Sequence, residues 1–324
     1  MLAYQIEKSN SNRKLLLCKL PTPTIKDTEI LIKTDSIGLN RADLYEVEGS
    51  YSGQDPNSIP GLEVAGTVIA IGNNVSSFKL GDKVCALLAS GGYAEQVAAE
   101  EALTFLVPNN LNFEQAAALP EAIFTVFMNL VEKAHALKGQ ALLIHAAASG
   151  IGTIGIQIAK ALGLKVISTA SNDEKIKSCI ELGSDYAFNY NNSNFISEIL
   201  EATDNNKLDI ILDCLGGEFF NHNIKLLKYG GKLLIIALLK GQYVNANLGP
   251  ALVKNITIYN STLRSQSLEY KSSLKARIET EIWPLVVSGV VKPVINKIFA
   301  FEKAQEALEY MKAGRHIGKI ILKI

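Results

Sequence analysis

One stretch of this chain admits few folds. Residues 141–163 read ALLIHAAASGIGTIGIQIAKALG: a short apolar run, a turn of small residues, then Ile154, Ile158 and Leu162 at helical spacing. The run 141–145 has the continuous apolarity of a strand buried on both faces of a parallel sheet. The spacing that follows is that of a helix with one apolar face. Strand, tight turn and helix in this order leave free backbone N–H groups at the helix N-terminus, where a pyrophosphate can sit.

Two registers of a glycine fingerprint fit the turn. The literal Gly-x-Gly-x-x-Gly falls on Gly150, Gly152 and Gly155, and a motif this short is weak by itself. If the turn follows the strand directly, the register is instead Ala147, Ser149 and Gly152. Small residues are what close backbone approach requires there, and Ala and Ser meet the need. The alternative is a small-residue helix start that packs against a sheet and binds nothing.

Composition sets the outer bounds. A chain of 324 residues has room for two domains or one large one. With 48% apolar and 20% charged residues it reads as a soluble globular protein with a substantial core. Lys plus Arg equals Asp plus Glu at 32 each, so no global field draws in nucleic acid or an anionic membrane. Cys18, Cys85, Cys179 and Cys214 stand singly, which excludes a zinc-cluster spacing and gives no disulfide framework. Reduced, buried thiols in a cytoplasmic protein are the expectation. The first eight residues have neither the basic nor the apolar region of a secretory signal. No apolar segment approaches membrane-spanning length.

Hydrophobic patterning divides the chain. Residues 1 to about 120 are mostly β, with strand-like runs at 15–20, 29–33, 63–71 and 82–88 punctuated by Pro and Gly. A helical pattern enters at 111–122. Strands then follow at 141–145, 165–169, 186–189, 208–213, 232–237 and 256–260, with helices at 173–182 and 195–202 between the earlier ones. Such alternation implies a doubly wound parallel sheet. Helices at 271–287 and 301–313 precede a final strand at 318–324. A terminal strand needs a sheet to join, and the N-terminal β region is the natural host. The expected class is α/β, with residues 122–266 inserted into a discontinuous domain of residues 1–121 and 267–324.

Several segments carry a family resemblance across essentially the whole chain: LNRADL at 39–44, GLEVAG at 61–66, GDKV at 81–84, AAALPE at 116–121, HAAASGIG at 145–152, LDCLGG at 212–217, STLR at 261–264 and IGK at 317–319. Together they make the chain similar to the zinc-independent quinone oxidoreductases of the medium-chain dehydrogenase/reductase superfamily, nearest to the stress-inducible branch. The resemblance implies a Rossmann domain inserted into a GroES-like domain. Zinc-dependent relatives have a Cys ligand in the loop held here by Asn40 and Arg41, and a His at the position of Leu62. A catalytic zinc needs three protein ligands, so no metal is expected.

The second strand of a dinucleotide fold usually ends on an acid that bonds the ribose 2′-hydroxyl. Here Ala170 takes that place. Ser171 can donate to a 2′-phosphate and Lys175 can add positive charge; with Tyr190 they match the family's 2′-phosphate pocket, so NADPH is the expected cofactor. Ser171 is equally suited to cap the next helix, and Lys175 to a solvated position near Asp173 and Glu174. The resemblance further assigns Thr125 and Val126 to the nicotinamide side, and Ser149, Gly150, Ile151, Gly152 and Thr153 to the pyrophosphate. Leu215, Gly216, Leu238, Leu239, Leu263 and Arg264 fall to loops after later strands, and His316 to the adenine-phosphate end. Asn40, Asp43 and Tyr51 are the candidates facing substrate, Tyr51 by bonding or stacking on a quinone. Each has a structural alternative: turn residue, helix cap and loop anchor respectively. His135, His145 and His222 have no partner pattern and read as structural.

The expected activity is transfer of a hydride or electrons from NADPH to a quinone or enone-like acceptor, with little acid–base apparatus. An enoyl-thioester reductase is the alternative within the superfamily. A nucleic-acid-binding or crystallin-like relative is the alternative outside enzymology, and the neutral charge argues against nucleic acid. A homodimer is expected through the apolar strand 256–260, since an exposed edge is usually paired or covered.

Overall fold

The computed structural model describes residues 1–9, 12–49 and 58–324. By contact the chain divides into one unit of Met1–Ala122, Ser267–Gly289 and Pro293–Ile324, and a second of Ile123–Gln266 and Val290–Lys292. In the first, Leu2–Ser9 (β1) and Asn12–Lys19 (β2) form an antiparallel pair. Glu29–Gly38 (β3), Glu63–Ile71 (β4), Lys83–Leu87 (β5), Gln96–Glu100 (β6) and Thr104–Leu106 (β7) build the main sheet. β3 is its hub, pairing antiparallel with both β4 and β6. Register shifts at Leu31/Ile32 and Thr34/Ser36 mark irregularities that let a short sheet bend. Arg41–Glu48 (α1) follows β3, and Phe113–Ala116 (α2) and Pro120–Phe127 (α3) close this stretch. Two helices replace the single helical segment at 111–122, and Pro120 opens the second because the first turn needs no proline N–H.

The second unit is an alternating sequence: Ala141–Ile144 (β8), Gly150–Ala161 (α4), Lys165–Ala170 (β9), Asp173–Glu181 (α5), Tyr186–Asn189 (β10), Phe195–Ala202 (α6) and Leu208–Asp213 (β11). Leu227–Ile235 (β12) and Thr257–Asn260 (β13) complete a parallel sheet of order β10-β9-β8-β11-β12-β13. Numbered from β8, that is 3-2-1-4-5-6, the order of a Rossmann sheet, and ligands bind at the carboxyl ends where it reverses. Leu143, Ile167, Ile211 and Leu233 from four adjacent strands pack with Phe195, Ile199 and Ile224 into its core.

The chain then returns to the first unit. The expected helix at 271–287 is two, Leu268–Glu281 and Trp283–Val287. Pro284 has no N–H and its ring crowds the carbonyl four residues back, so the helix breaks before it. Ile295–Ala300 (β14) runs parallel to the last strand, Lys319–Lys323 (β15), and β15 joins β3 in antiparallel register, Ile321 opposite Gly38. Ile30, Ile32, Ile37, Val64, Val84, Ile320 and Leu322 share one core. The final strand thus pairs with a strand nearly three hundred residues earlier. No helix of the described residues is long and apolar enough to cross a membrane.

The start of α4 decides between the two glycine registers. A Cβ at Gly152 would run into the backbone of Ala147, whereas one at Gly155 would lie 3.4 Å from Ile144 and 3.6 Å from Val126, in ordinary contact. The close approach is therefore made at Gly152, as the Ala147, Ser149, Gly152 register requires. Gly152→Ala should lower unfolding free energy by about 1–3 kcal/mol through overpacking. Gly155→Ala should be neutral or gain up to about 1 kcal/mol from helix propensity. Urea denaturation of both variants checks the pair.

Candidate active site

The turn after β8 opens directly into a capped helix. Ser149 caps α4, its hydroxyl accepting the Gly152 N–H at 3.1 Å, and Thr153 Oγ1 bonds the Gly150 carbonyl at 3.2 Å. The first N–H groups of a helix have no partner within it, and here those of Gly150 and Ile151 are at that position. Gly152 keeps the helix start close to the strand. Thr125 and Val126 lie on α3; the Thr125 carbonyl accepts from Asn129, whose Oδ1 accepts from Ser261 beyond β13.

At the end of β9 stands Ala170, which offers no carboxylate. Asn172, not Ser171, caps α5 and accepts the Lys175 N–H at 3.0 Å. The capping alternative for Ser171 is thereby corrected: Asn172 is one residue nearer the first turn and has the longer side chain. The Ser171 hydroxyl bonds Tyr190, whose own hydroxyl is pushed up by burial and held back by that bond. Lys175 is half-buried rather than solvated, and burial lowers its pKa against the pull of Glu174. A second cation, Lys240 Nζ, lies 5.8 Å from the centre of the Tyr190 ring. Sequence reasoning missed it because it reaches the site from an irregular loop with no periodicity.

The later loops are tied to one another. Asp213 Oδ1 accepts the N–H groups of Leu215 (2.7 Å) and Gly216 (3.2 Å), fixing the turn after β11. The N–H groups of Leu239 and Lys240 donate back to the carbonyls of Cys214 and Leu215. Leu238 and Leu239 are exposed, while Leu263 is buried and Arg264 half-buried after β13. Behind the turn, His145 is fully engaged: Nδ1 meets Thr169 Oγ1 at 2.8 Å and Nε2 meets Asn223 Oδ1 at 2.7 Å. Asn223 donates its amide to Asp213 Oδ2, so its oxygen accepts from the ring and the proton is assigned to Nε2. Burial lowers this imidazole's pKa, with Asp213 opposing, which fits a structural rather than catalytic histidine. His316 belongs to the first unit, just before β15.

In the first unit Asn40 and Asp43 enter a buried polar cluster with Glu63, Tyr93 and Lys319. Lys319 Nζ donates to the Leu39 carbonyl (2.9 Å), to Asn40 Oδ1 (2.8 Å) and to Glu63 Oε1. Asn40 Nδ2 donates to Glu63 Oε1 at 3.0 Å, and Glu63 Oε2 accepts the Glu121 N–H at 2.9 Å. Asp43 Oδ2 takes the Asn40 N–H at 2.8 Å and the Tyr93 hydroxyl at 3.2 Å, completing the start of α1. Asp43 is wholly buried. Tyr51 lies outside the described residues. Burial raises the Asp43 carboxyl to about 7 despite the Asn40 N–H and Lys319. Burial and the neighbouring Glu63 raise Glu121 to about 8.

This cluster does not fit zinc. Glu63 Oε1 and Asn40 Oδ1 already accept from the Lys319 ammonium, and Leu62 offers no donor. Among the described residues no three His, Cys, Asp or Glu side chains converge as metal ligands.

Comparison with known proteins agrees with this anatomy. Residues 26–109 match the alcohol dehydrogenase GroES-like domain and residues 150–278 match the zinc-binding dehydrogenase model. Human quinone oxidoreductase is 33% identical over 311 residues, spanning 94% of this chain and 91% of that protein. The mouse protein is 34% identical over 309 residues, spanning 93% and 90%. The structure of Escherichia coli quinone oxidoreductase complexed with NADPH superposes with a TM-score of 0.90 at 26% identity, over 100% of both chains. The chain belongs to the quinone oxidoreductase family of the medium-chain dehydrogenase/reductase superfamily.

Two outcomes follow from the buried cluster. Lys319→Met leaves Glu63 buried and unpaired and should cost about 3–5 kcal/mol, part of which the double variant Glu63→Gln/Lys319→Met recovers; chemical denaturation reads both. Unfolded carboxyls titrate near about 4, so between about 4 and the raised native values of Asp43 and Glu121 the folded state holds more protons. Stability should therefore fall as pH rises through that window, with a smaller slope in Glu121→Gln, measured by urea midpoints across pH.

Proposed function

We propose that this protein is an NADPH-dependent quinone oxidoreductase that works without a metal. The observation that carries the reading is the end of β9: Ala170 stands where an acid would repel a 2′-phosphate, beside the hydrogen-bonded Ser171 and Tyr190 and the half-buried Lys175. The names of its relatives support a quinone or enone-like acceptor, and the NADPH-complexed neighbour supports the cofactor.

NADPH, when bound, supplies the hydride. The chain's own part is to bind, orient and keep the reaction dry. In this reading residues 122–266 are the NADP-binding domain, and residues 1–121 and 267–324 are the catalytic GroES-like domain. The turn Ser149 to Thr153 takes the pyrophosphate through the amides of Gly150 and Ile151; Ser171, Lys175 and Tyr190 take the 2′-phosphate. Thr125, Val126, Leu215, Gly216, Leu238, Leu239, Leu263 and Arg264 shape the nicotinamide and ribose surroundings, and His316 contacts the adenine-phosphate end. Asn40 and Tyr51 orient the acceptor, while the buried Asp43 acts through Asn40 as a positioning residue. A dedicated nucleophile has no role. Lys319 already neutralises Glu63, so polarisation of the acceptor by zinc has no place in the mechanism.

The working form is a cytoplasmic homodimer, paired along β13. That strand is the edge of its sheet, and Leu252 and Val253 just before it are largely exposed.

Steady-state oxidation of NADPH and NADH against quinones, enones and a crotonyl thioester tests the assignment, with NADPH and a quinone the expected best pair. Lys175→Glu should weaken NADPH binding roughly tenfold, the weight of one charge-assisted bond of ~1.5 kcal/mol, and leave NADH nearly unchanged. Equal losses for both cofactors would remove the phosphate role.

A further inference from the structure

We propose that the second unit carries a separate site for a phosphorylated small molecule, at the amino ends of its sheet strands. A cavity of about 410 Å³ lies there, lined by Ala141, Lys165, Asn206, Lys207, Asp209 and Lys228 among others. Ala141 and Lys165 are the first residues of β8 and β9; Asp209 and Lys228 are the second residues of β11 and β12. The proposed cofactor cradle is at the carboxyl ends of the same strands, so the two sites are on opposite edges of the sheet.

Charge selects the ligand. Of the described lining residues only Asp209 is acidic, and it is engaged: Oδ2 accepts the Ala141 N–H at 2.9 Å and Oδ1 pairs with Lys228. Lys165 Nζ lies 5.1 Å from the centre of the Tyr186 ring, and the nearby Asp185 is bonded to Lys160 and to the Val166 amide. Lys207 stands beside Lys254, whose ammonium already donates to the carbonyls of Ile224, Lys225 and Leu227. Burial first, and then the neighbouring Lys207, hold Lys254 below its usual pKa. Lys165 and Lys207 thus line the cavity, Lys165 also within the field of Asp185, and lysine is a point-charge binder of phosphate. The volume exceeds what inorganic phosphate fills and lies within the roughly 300–1,000 Å³ of small-molecule pockets. A nucleoside monophosphate has that size and charge.

The test is calorimetric titration of the full chain with AMP, pyrophosphate and inorganic phosphate, each with and without saturating NADPH. AMP should bind at one per chain even with NADPH present. The double variant Lys165→Gln/Lys207→Gln should weaken it about tenfold or more while keeping the melting temperature and the affinity for NADPH. AMP binding more tightly than pyrophosphate assigns the site to a nucleotide; similar affinities assign it to the phosphate group itself. No binding that survives NADPH, or binding unchanged in the double variant, would overturn the site, and neither result bears on quinone reduction.

Discussion

One ammonium group holds the first unit to its register. Lys319 has three N–H bonds and three acceptors, the Leu39 carbonyl, Asn40 and Glu63, drawn from the end of β3 and the start of β4. A buried charge is tolerable only when paired and fully hydrogen-bonded. The final strand can therefore settle only where those acceptors converge, and a slip of one residue would turn the lysine away from them. Specificity of pairing, rather than net stabilisation, is what such a cluster contributes. Its reach extends through Asn40 to Asp43 and Tyr93, and through Glu63 to the N–H of Glu121.

The same lysine bears on chemistry. In the metal-free reading proposed above, the cation beside Glu63 is the chain's own Lys319. Reduction of an activated acceptor needs less polarisation than oxidation of an alcohol. The second unit is organised by a different constraint, the contact of Gly152 with Ala147 that sets the helix start against the strand. Asp213, Asn223, His145 and Thr169 form a continuous hydrogen-bonded line behind that turn, joining β11, β8 and β9 by side chains as well as by backbone. Each of these buried groups has a partner, so the line stiffens the strand ends instead of offering reactivity.

What the sequence made legible was local. The apolar run of β8 and the helical spacing of α4 are nearest-neighbour patterns, and β4, β10, β11 and α6 declared themselves in the same way. The helix α1 did not, because its buried residues include Asp43 and Glu46 as well as Leu44 and Val47, which erases the apolar stripe. β1 carries no turn residue before it to mark where it starts. The cap of α5 is Asn172 where the sequence suggested Ser171, a difference of one residue of helix phase, finer than any pattern resolves. Asn40 and Asp43 were found by resemblance, and Glu63 and Lys319 lie in segments that carry it, but their pairing was not legible, because an ion pair between strands 256 residues apart leaves no periodic trace. Lys240 was hidden for a related reason: a loop return places it, and loops carry no repeat.

The most direct measurement is the metal content of catalytically active protein, taken with its NADPH-dependent quinone turnover before and after exhaustive chelation. An enzyme whose buried cation is its own lysine should contain only substoichiometric zinc and keep full turnover after chelation. One zinc per chain, with turnover lost on its removal and restored on its return, would contradict that.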